Sequence, residues 1–229
     1  MSAQKNVAMQ SAEPSTGAMI RALGGVALIS GLLIVMVYQW TMPTITQYRK
    51  QALERSVLKV IPDATTIKPF VVNDEGMVPA EAARKSGLQV YVGYDAAGNL
   101  KGIAAEGAGQ GYADVIRLLY GYSPECECIT GISIVSSKET PGFGDKLVTD
   151  AAFNANFKAL DARLNADKTG LANPIVTVKH GTKRHPWEID AISGATVSSR
   201  GVGKALNDSA EKVLPQVARH MNELKGTSP

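Results

Sequence analysis

The sequence predicts an α+β fold, with a single N-terminal transmembrane helix followed by one domain of mixed strands and helices. Three observations lead there. A run free of charged residues lies near the N-terminus, from Ala22 to Tyr48. Short alternating strands sit next to each other across turn residues. Separate segments carry helical spacing, which favours an α+β over a doubly wound arrangement.

Residues 1–18 are mostly small and polar, with Lys5 and Glu13 as their only charges, and read as a flexible tail. The apolar run from Leu23 to Tyr38 reaches the roughly 20 residues a spanning helix needs when Trp40 and Met42 are included. Tyr38 and Trp40 stand where an interfacial aromatic belt is expected. The start is long and weakly basic for a signal peptide, and no small-x-small site follows the run, so residues 19–42 read as an uncleaved anchor. Charge leaves the orientation open: Lys5 and Arg21 precede the helix, and Arg49, Lys50, Arg55 and Lys59 follow it. Residues 43–60 read as a helical stalk (Leu53, Val57, Val60), and the soluble domain as residues 61–229.

Within that domain Leu88–Val92 alternates as a strand, Asp95–Asn99 makes a turn, and Leu100–Ala105 closes a hairpin. Tyr112–Tyr120 has helix-compatible spacing through Ile116 and Leu119. Ile129–Val135 reads as a strand, Asp145–Phe157 as a helix and Ile175–Val178 as a strand. From Ser198 to Leu224, Val202, Leu206, Ala210, Val213 and Val217 form one stripe of a final helix, kinked at Pro215.

The chain has 229 residues, 45% hydrophobic and 20% charged, enough for a real core. A net charge of +3 without a clustered basic footprint excludes nucleic-acid binding. Cys126 and Cys128 fall short of the ligands a tetrahedral metal site needs. They read as ordinary thiols or a local disulfide, or else as a redox pair or a half-site completed by a partner. His180 and His185 lie in Lys179-His-Gly-Thr-Lys-Arg-His185, a solvated loop or a dock for an acidic partner, and no metal site is expected.

The segment richest in chemistry is Asp190-Ala-Ile-Ser-Gly-Ala-Thr-Val-Ser-Ser199, just before the last helix. Gly194 permits a tight turn. Ser193, Thr196, Ser198 and Ser199 offer hydroxyls to a helix N-terminus, which suits a phosphate. An ordinary helix cap uses the same residues. Glu139-Thr-Pro-Gly-Phe-Gly144 supplies a second glycine turn: Gly142 and Gly144 allow close backbone approach, and Phe143 could face a flat ring. Gly107-Ala-Gly-Gln-Gly-Tyr112 reads as a glycine-rich entry to a helix, without the spacing of a dinucleotide fingerprint.

In this order, anchor, Gly-x-Gly-Tyr112, Glu139-Thr-Pro-Gly-hydrophobic-Gly-Asp-Lys146 and Asp190-x-x-Ser-Gly-Ala-Thr196, the chain resembles the FMN-binding G subunit of Rnf-type ion-translocating electron transport complexes. It is also similar to the related flavin-carrying C subunit of sodium-translocating NADH:quinone reductases. The resemblance implies FMN joined by a flavin transferase, through its phosphate, to Thr196. It departs from the common pattern at Ala191 and Phe143, where many members have Gly and Leu. It further implies a redox subunit without independent substrate turnover, working with the other members of its complex in a bacterial inner membrane, with the domain in the periplasm. The expected cofactor contacts are Tyr112, Glu139, Thr140, Gly142, Phe143, Gly144, Ser193, Gly194, Ala195, Thr196, Val197 and Ser198. The corresponding quinone reductase subunit, or a non-redox anchored assembly subunit, is the alternative.

Overall fold

The structure, a computed structural model, describes residues 15–61, 63–73, 76–81, 87–140, 142 and 144–226. Most of the expected N-terminal tail, residues 1–14, lies outside them. The chain divides into two compact units, residues 1–50 and 51–229.

Helix α1 (Thr16–Val60) begins in the first unit and ends in the second. Its N-terminal part is apolar on every side, and Leu23, Val26, Leu28, Leu32 and Ile34 are all exposed. Its most apolar 18-residue window has a mean hydropathy of 2.2, so this helix is long and apolar enough to cross a membrane. Such an all-round apolar surface suits lipid rather than a protein core. Pro43 lies inside the helix and contributes no N–H. The Thr46 hydroxyl donates to the Pro43 carbonyl at 2.8 Å, and Thr41 donates to Val37 at 2.7 Å, so both polar groups are satisfied within the helix.

The second unit is built on β1 (Thr66–Asn73), β2 (Gly76–Pro79), β3 (Leu88–Tyr94), β4 (Leu100–Gln110), β5 (Val115–Ser123) and β6 (Cys128–Ser136). Helices α2 (Lys146–Thr149) and α3 (Ala151–Ala155) follow, then β7 (Leu160–Asp161), β8 (Val176–Val178) and β9 (Glu188–Asp190). Helices α4 (Thr196–Arg219) and α5 (Met221–Gly226) close the described chain. Seven strands form one antiparallel sheet in the order β2-β1-β3-β4-β5-β6-β7, while β8 and β9 pair in parallel. The β3–β4 turn is the expected one: Asp95 Oδ1 accepts the amides of Ala97 at 2.9 Å and Asn99 at 2.8 Å, and Gly98 takes φ +82°.

Alternation explains the core. On one sheet face Val90, Val92, Ile103, Ile116, Leu118 and Tyr120 meet the α4 stripe Val202, Leu206, Val213 and Val217. Each such side chain contributes on the order of 2 kcal/mol by leaving water. Ser209 joins the layers, donating to the Glu106 carbonyl at 2.6 Å and bonding the Tyr120 hydroxyl at 3.1 Å. On the other face Val57 and Val60, from the last turns of α1, pack with Ile61, Ala64, Tyr91, Ala104 and Leu119. The Thr130 hydroxyl caps that helix end, donating to the Val60 carbonyl at 3.0 Å.

Two helix expectations are corrected. Tyr112–Tyr120 is not helical: Val115–Ser123 is strand β5, with Ile116, Leu118, Tyr120 and Tyr122 alternating into the core. The Ile116–Leu119 spacing fitted a helix, but β4 and β6 on either side settle the period at two. Gly107–Tyr112 is therefore the end of β4 and its turn, not a helix entry. Asp145–Phe157 breaks into α2 and α3 at Asp150, whose extended backbone (ψ 111°) and side chain cap α3 by accepting the Phe153 amide at 2.8 Å. The last helix runs through Pro215 but ends at Arg219, and α5 resumes at Met221.

Candidate functional site

The site forms where the N-terminus of α4 meets the β4–β5 turn, and glycines set that approach. A Cβ at Gly109 would collide with the Gly201 carbonyl, and one at Gly107 would lie 2.7 Å from the Ala205 carbonyl. From the helix side, a Cβ at Gly201 would lie 2.6 Å from the Gln110 carbonyl. The helix backbone thus rests directly on β4, and its first turn lies beside Gly111 and Tyr112.

The turn into α4 is tightly specified. Gly194 takes φ +82°. The Ala195 amide bonds the Ile192 carbonyl at 3.1 Å. The buried Ser199 hydroxyl accepts the Ile192 amide at 3.1 Å and donates to the Ala195 carbonyl at 2.9 Å, closing the turn on itself. Upstream, Asp190 accepts the Gly181 amide at 2.7 Å, and His180 Nδ1 lies 2.9 Å from the Ala191 carbonyl. The basic loop is therefore pinned to the Asp190–Thr196 segment rather than simply solvated.

Glu139 ties three stretches of chain together. Its Oε1 accepts the Ala113 amide at 3.0 Å and the Asp114 amide at 3.4 Å. Its Oε2 accepts the Tyr112 amide at 3.3 Å and the Ser198 hydroxyl. Burial pushes the Glu139 carboxyl up, but the Ser198 hydroxyl and these amides outweigh it and hold the group below the usual carboxylate range.

Thr196 opens α4 without a side-chain cap from Ala195. Among the described residues the amides of Thr196, Val197 and Ser198 have no acceptor, as a helix start allows, and the Thr196 hydroxyl has no partner. Thr196 lines a cavity of about 530 Å³ with Tyr112, Glu139, Thr140, Gly194, Ala195, Val197 and Ser198. The exposed Tyr112 ring and Val197 give it apolar surface. A larger cavity of about 810 Å³, lined by Val72, Leu88, Lys212 and Arg219 among others, holds none of the motif residues.

Eight of the twelve sequence-proposed contacts thus share one cavity wall, and three of the other described ones do not. Ser193 is exposed beside the turn. Gly142 is exposed at φ +84°, and Gly144 is buried behind Glu139, whose Cβ a side chain at Gly144 would strike. Phe143 lies outside the described residues. Sequence reasoning missed the Ala113 and Asp114 amides, because backbone donors carry no sequence signal; Ser199, expected to offer its hydroxyl to the helix start, uses it to close the turn before α4. Cys126 and Cys128 form a disulfide where the β5–β6 turn enters β6, and neither lines the motif cavity.

The site residues fit a flavin phosphate on their chemistry: free amides at the positive end of a 24-residue helix, an unengaged hydroxyl, and an apolar wall. Comparison with known proteins agrees. Residues 111–211 match the family model described as the FMN-binding domain. The G subunit of the proton-translocating ferredoxin:NAD(+) oxidoreductase complex of Clostridium ljungdahlii is 31% identical over 186 residues, covering 81% of this chain and 84% of that protein. The chain belongs to the G-subunit family of ion-translocating oxidoreductase complexes. Two further members agree with that placement. The G subunit of the Acetobacterium woodii Na(+)-translocating ferredoxin:NAD(+) oxidoreductase complex is 27% identical, with 81% of this chain and 86% of that one covered. Its counterpart in the ion-translocating oxidoreductase complex of Methanosarcina acetivorans is also 27% identical, with 83% and 90% covered. The family's FMN-binding fold is also that of Shewanella oneidensis NqrC, whose crystal structure superposes with a TM-score of 0.58 at 24% identity, covering 79% of this chain and all of that one.

Proposed function

We propose that this chain carries FMN on Thr196 through a phosphoester, and that it relays electrons within a membrane-bound ferredoxin:NAD(+) oxidoreductase complex of the kind its relatives form. The observation that supports the attachment is how the hydroxyls near the helix start are used. Ser198 is engaged by Glu139 and Ser199 by the turn, while among the described hydroxyls of the first turn of α4 it is Thr196 that lines the cavity with its hydroxyl unengaged. The free amides of α4 and its dipole would steady the phosphate.

When bound, FMN supplies single-electron acceptance and release. The protein's part is to hold and orient. Thr196 would provide the oxygen that bonds to phosphorus and give up its proton, while the flavin transferase breaks the phosphoanhydride bond of an activated FMN donor and the other phosphate half leaves. Tyr112 and Val197 would shield the ring, and Glu139 fixes the loop that carries Tyr112 against α4. In this reading residues 19–42 anchor the chain in the inner membrane, residues 43–60 form a stalk, and residues 61–229 hold the flavin on the periplasmic side.

The test is co-expression of the full chain with a flavin transferase, followed by in-gel fluorescence of the denatured band and peptide mass mapping. Fluorescence that survives denaturation and maps to Thr196 is expected, and Thr196→Ala should abolish it without unfolding the domain. A fluorescent Thr196→Ala band would sink the assignment. A dark wild-type band beside an active control would reduce the Ser193–Thr196 segment to a helix cap.

A further inference from the structure

Among the described residues, Glu139 is the one charged group in the wall of the motif cavity. Its donors are three backbone amides and the Ser198 hydroxyl, all of them neutral. The carboxylate is therefore held ionised without being cancelled by a cation in that donor set. The neighbouring Lys138 is turned to Asp114, with its ammonium 3.3 Å from Oδ2. The latch also fixes where the charge stands. A Cβ at Gly111 would strike Glu139 Oε1 and one at Gly144 would strike its Cβ, so backbone closes around the side chain on two sides.

We propose that Glu139 presents a fixed negative charge to the flavin and holds its midpoint potential below the value it would have beside a neutral residue. This rests on the reading that the flavin occupies the motif cavity. Adding an electron to a ring beside a fixed negative charge costs Coulomb energy, and the cost grows where protein replaces water between them. The four donors keep the charge in place whichever way the electron moves, so the bias is a constant of the site.

The experiment uses the full chain, loaded by co-expression with a flavin transferase, with loading checked by fluorescence of the denatured band. Spectroelectrochemical titration then gives the midpoint potential. Glu139→Gln keeps the shape and removes the charge, and its potential should move to a more positive value. Glu139→Asp keeps the charge while straining the latch, and should stay nearer wild type than Glu139→Gln does. Where Glu139→Gln fails to load, Thr140→Lys carries the test: it puts a cation on the same wall and should also raise the potential. A Glu139→Gln potential equal to wild type overturns the inference. So does an equal shift in Glu139→Asp, which would mark a purely structural role, or a Thr140→Lys potential at or below wild type. A wild-type chain without covalent flavin would instead overturn the functional reading, and the gel shows this before any titration.

Discussion

Gly109→Ala tests whether backbone contact between β4 and α4 builds the site. The new methyl would run into the Gly201 carbonyl and lie 3.1 Å from both the Cβ and the amide nitrogen of Ala205. Carbon–oxygen contacts are comfortable only beyond about 3.3 Å. None of the obstructing atoms sits at the end of a flexible side chain, so no rotamer change relieves the clash. Either α4 lifts from the sheet or β4 bends. Overpacking of this kind costs about 1–3 kcal/mol, with the upper end expected against backbone. Replacing glycine recovers roughly 0.4–1 kcal/mol through the unfolded chain. A net loss of about 2 kcal/mol lowers Tm by roughly 4–8 °C in a domain of this size. Gly131→Ala is the matched control, because its nearest neighbour, Val60 Cα, is 3.9 Å away. It should be neutral or slightly stabilising. Thermal unfolding of the full chain in detergent, followed by circular dichroism, reads both variants, and flavin loading should fall only in Gly109→Ala. Equal melting of Gly109→Ala and wild type would refute the reasoning.

Leu206 is fully buried under α4, so Leu206→Ala should cost about 2–5 kcal/mol, read as a lower urea midpoint at unchanged slope. Tyr120→Phe should cost only about 1 kcal/mol, because Ser209 keeps its bond to the Glu106 carbonyl. Asp161 is held below the usual carboxylate range by the Arg163 guanidinium, and Glu139 by its donors against burial. Both folded values lie below the unfolded ones of about 4, so their stabilisation is complete above that pH and is lost as pH falls through the folded values. Urea midpoints should hold steady down to about pH 5 and drop below pH 4, less steeply in Asp161→Asn.

Much of this was legible from residues alone. The β3–β4 hairpin announced itself through alternation and the Asp95–Asn99 turn, and the α4 stripe through its helical period. The motif around Thr196 pointed to a helix start because Gly194 and the flanking hydroxyls have few other uses together. Strand β5 was misread because Ile116 and Leu119 are spaced for either element, and only pairing with β4 and β6 decides between them. Strands β1, β2, β7 and β9 went unseen, being short or lacking clean alternation. The Glu139 latch was hidden for another reason. Its partners are amides, and nothing in a side-chain alphabet records that three N–H groups will converge on one carboxylate.

The order of strands in the sheet has a consequence for how the protein is made. Each strand pairs with one that is next, or next but one, in the chain, so the sheet can zip up from local segments as they emerge. The cavity cannot. Ser209 and Glu106, 103 residues apart, and Ser198 and Glu139, 59 apart, meet only when the last helix docks. During synthesis the sheet can stand assembled while Thr196 still belongs to an undocked segment. Completion of the cavity is thereby timed to the end of the chain: a prematurely terminated product keeps its strands but has no finished pocket, so the flavin attachment proposed above would have to wait for the last helix.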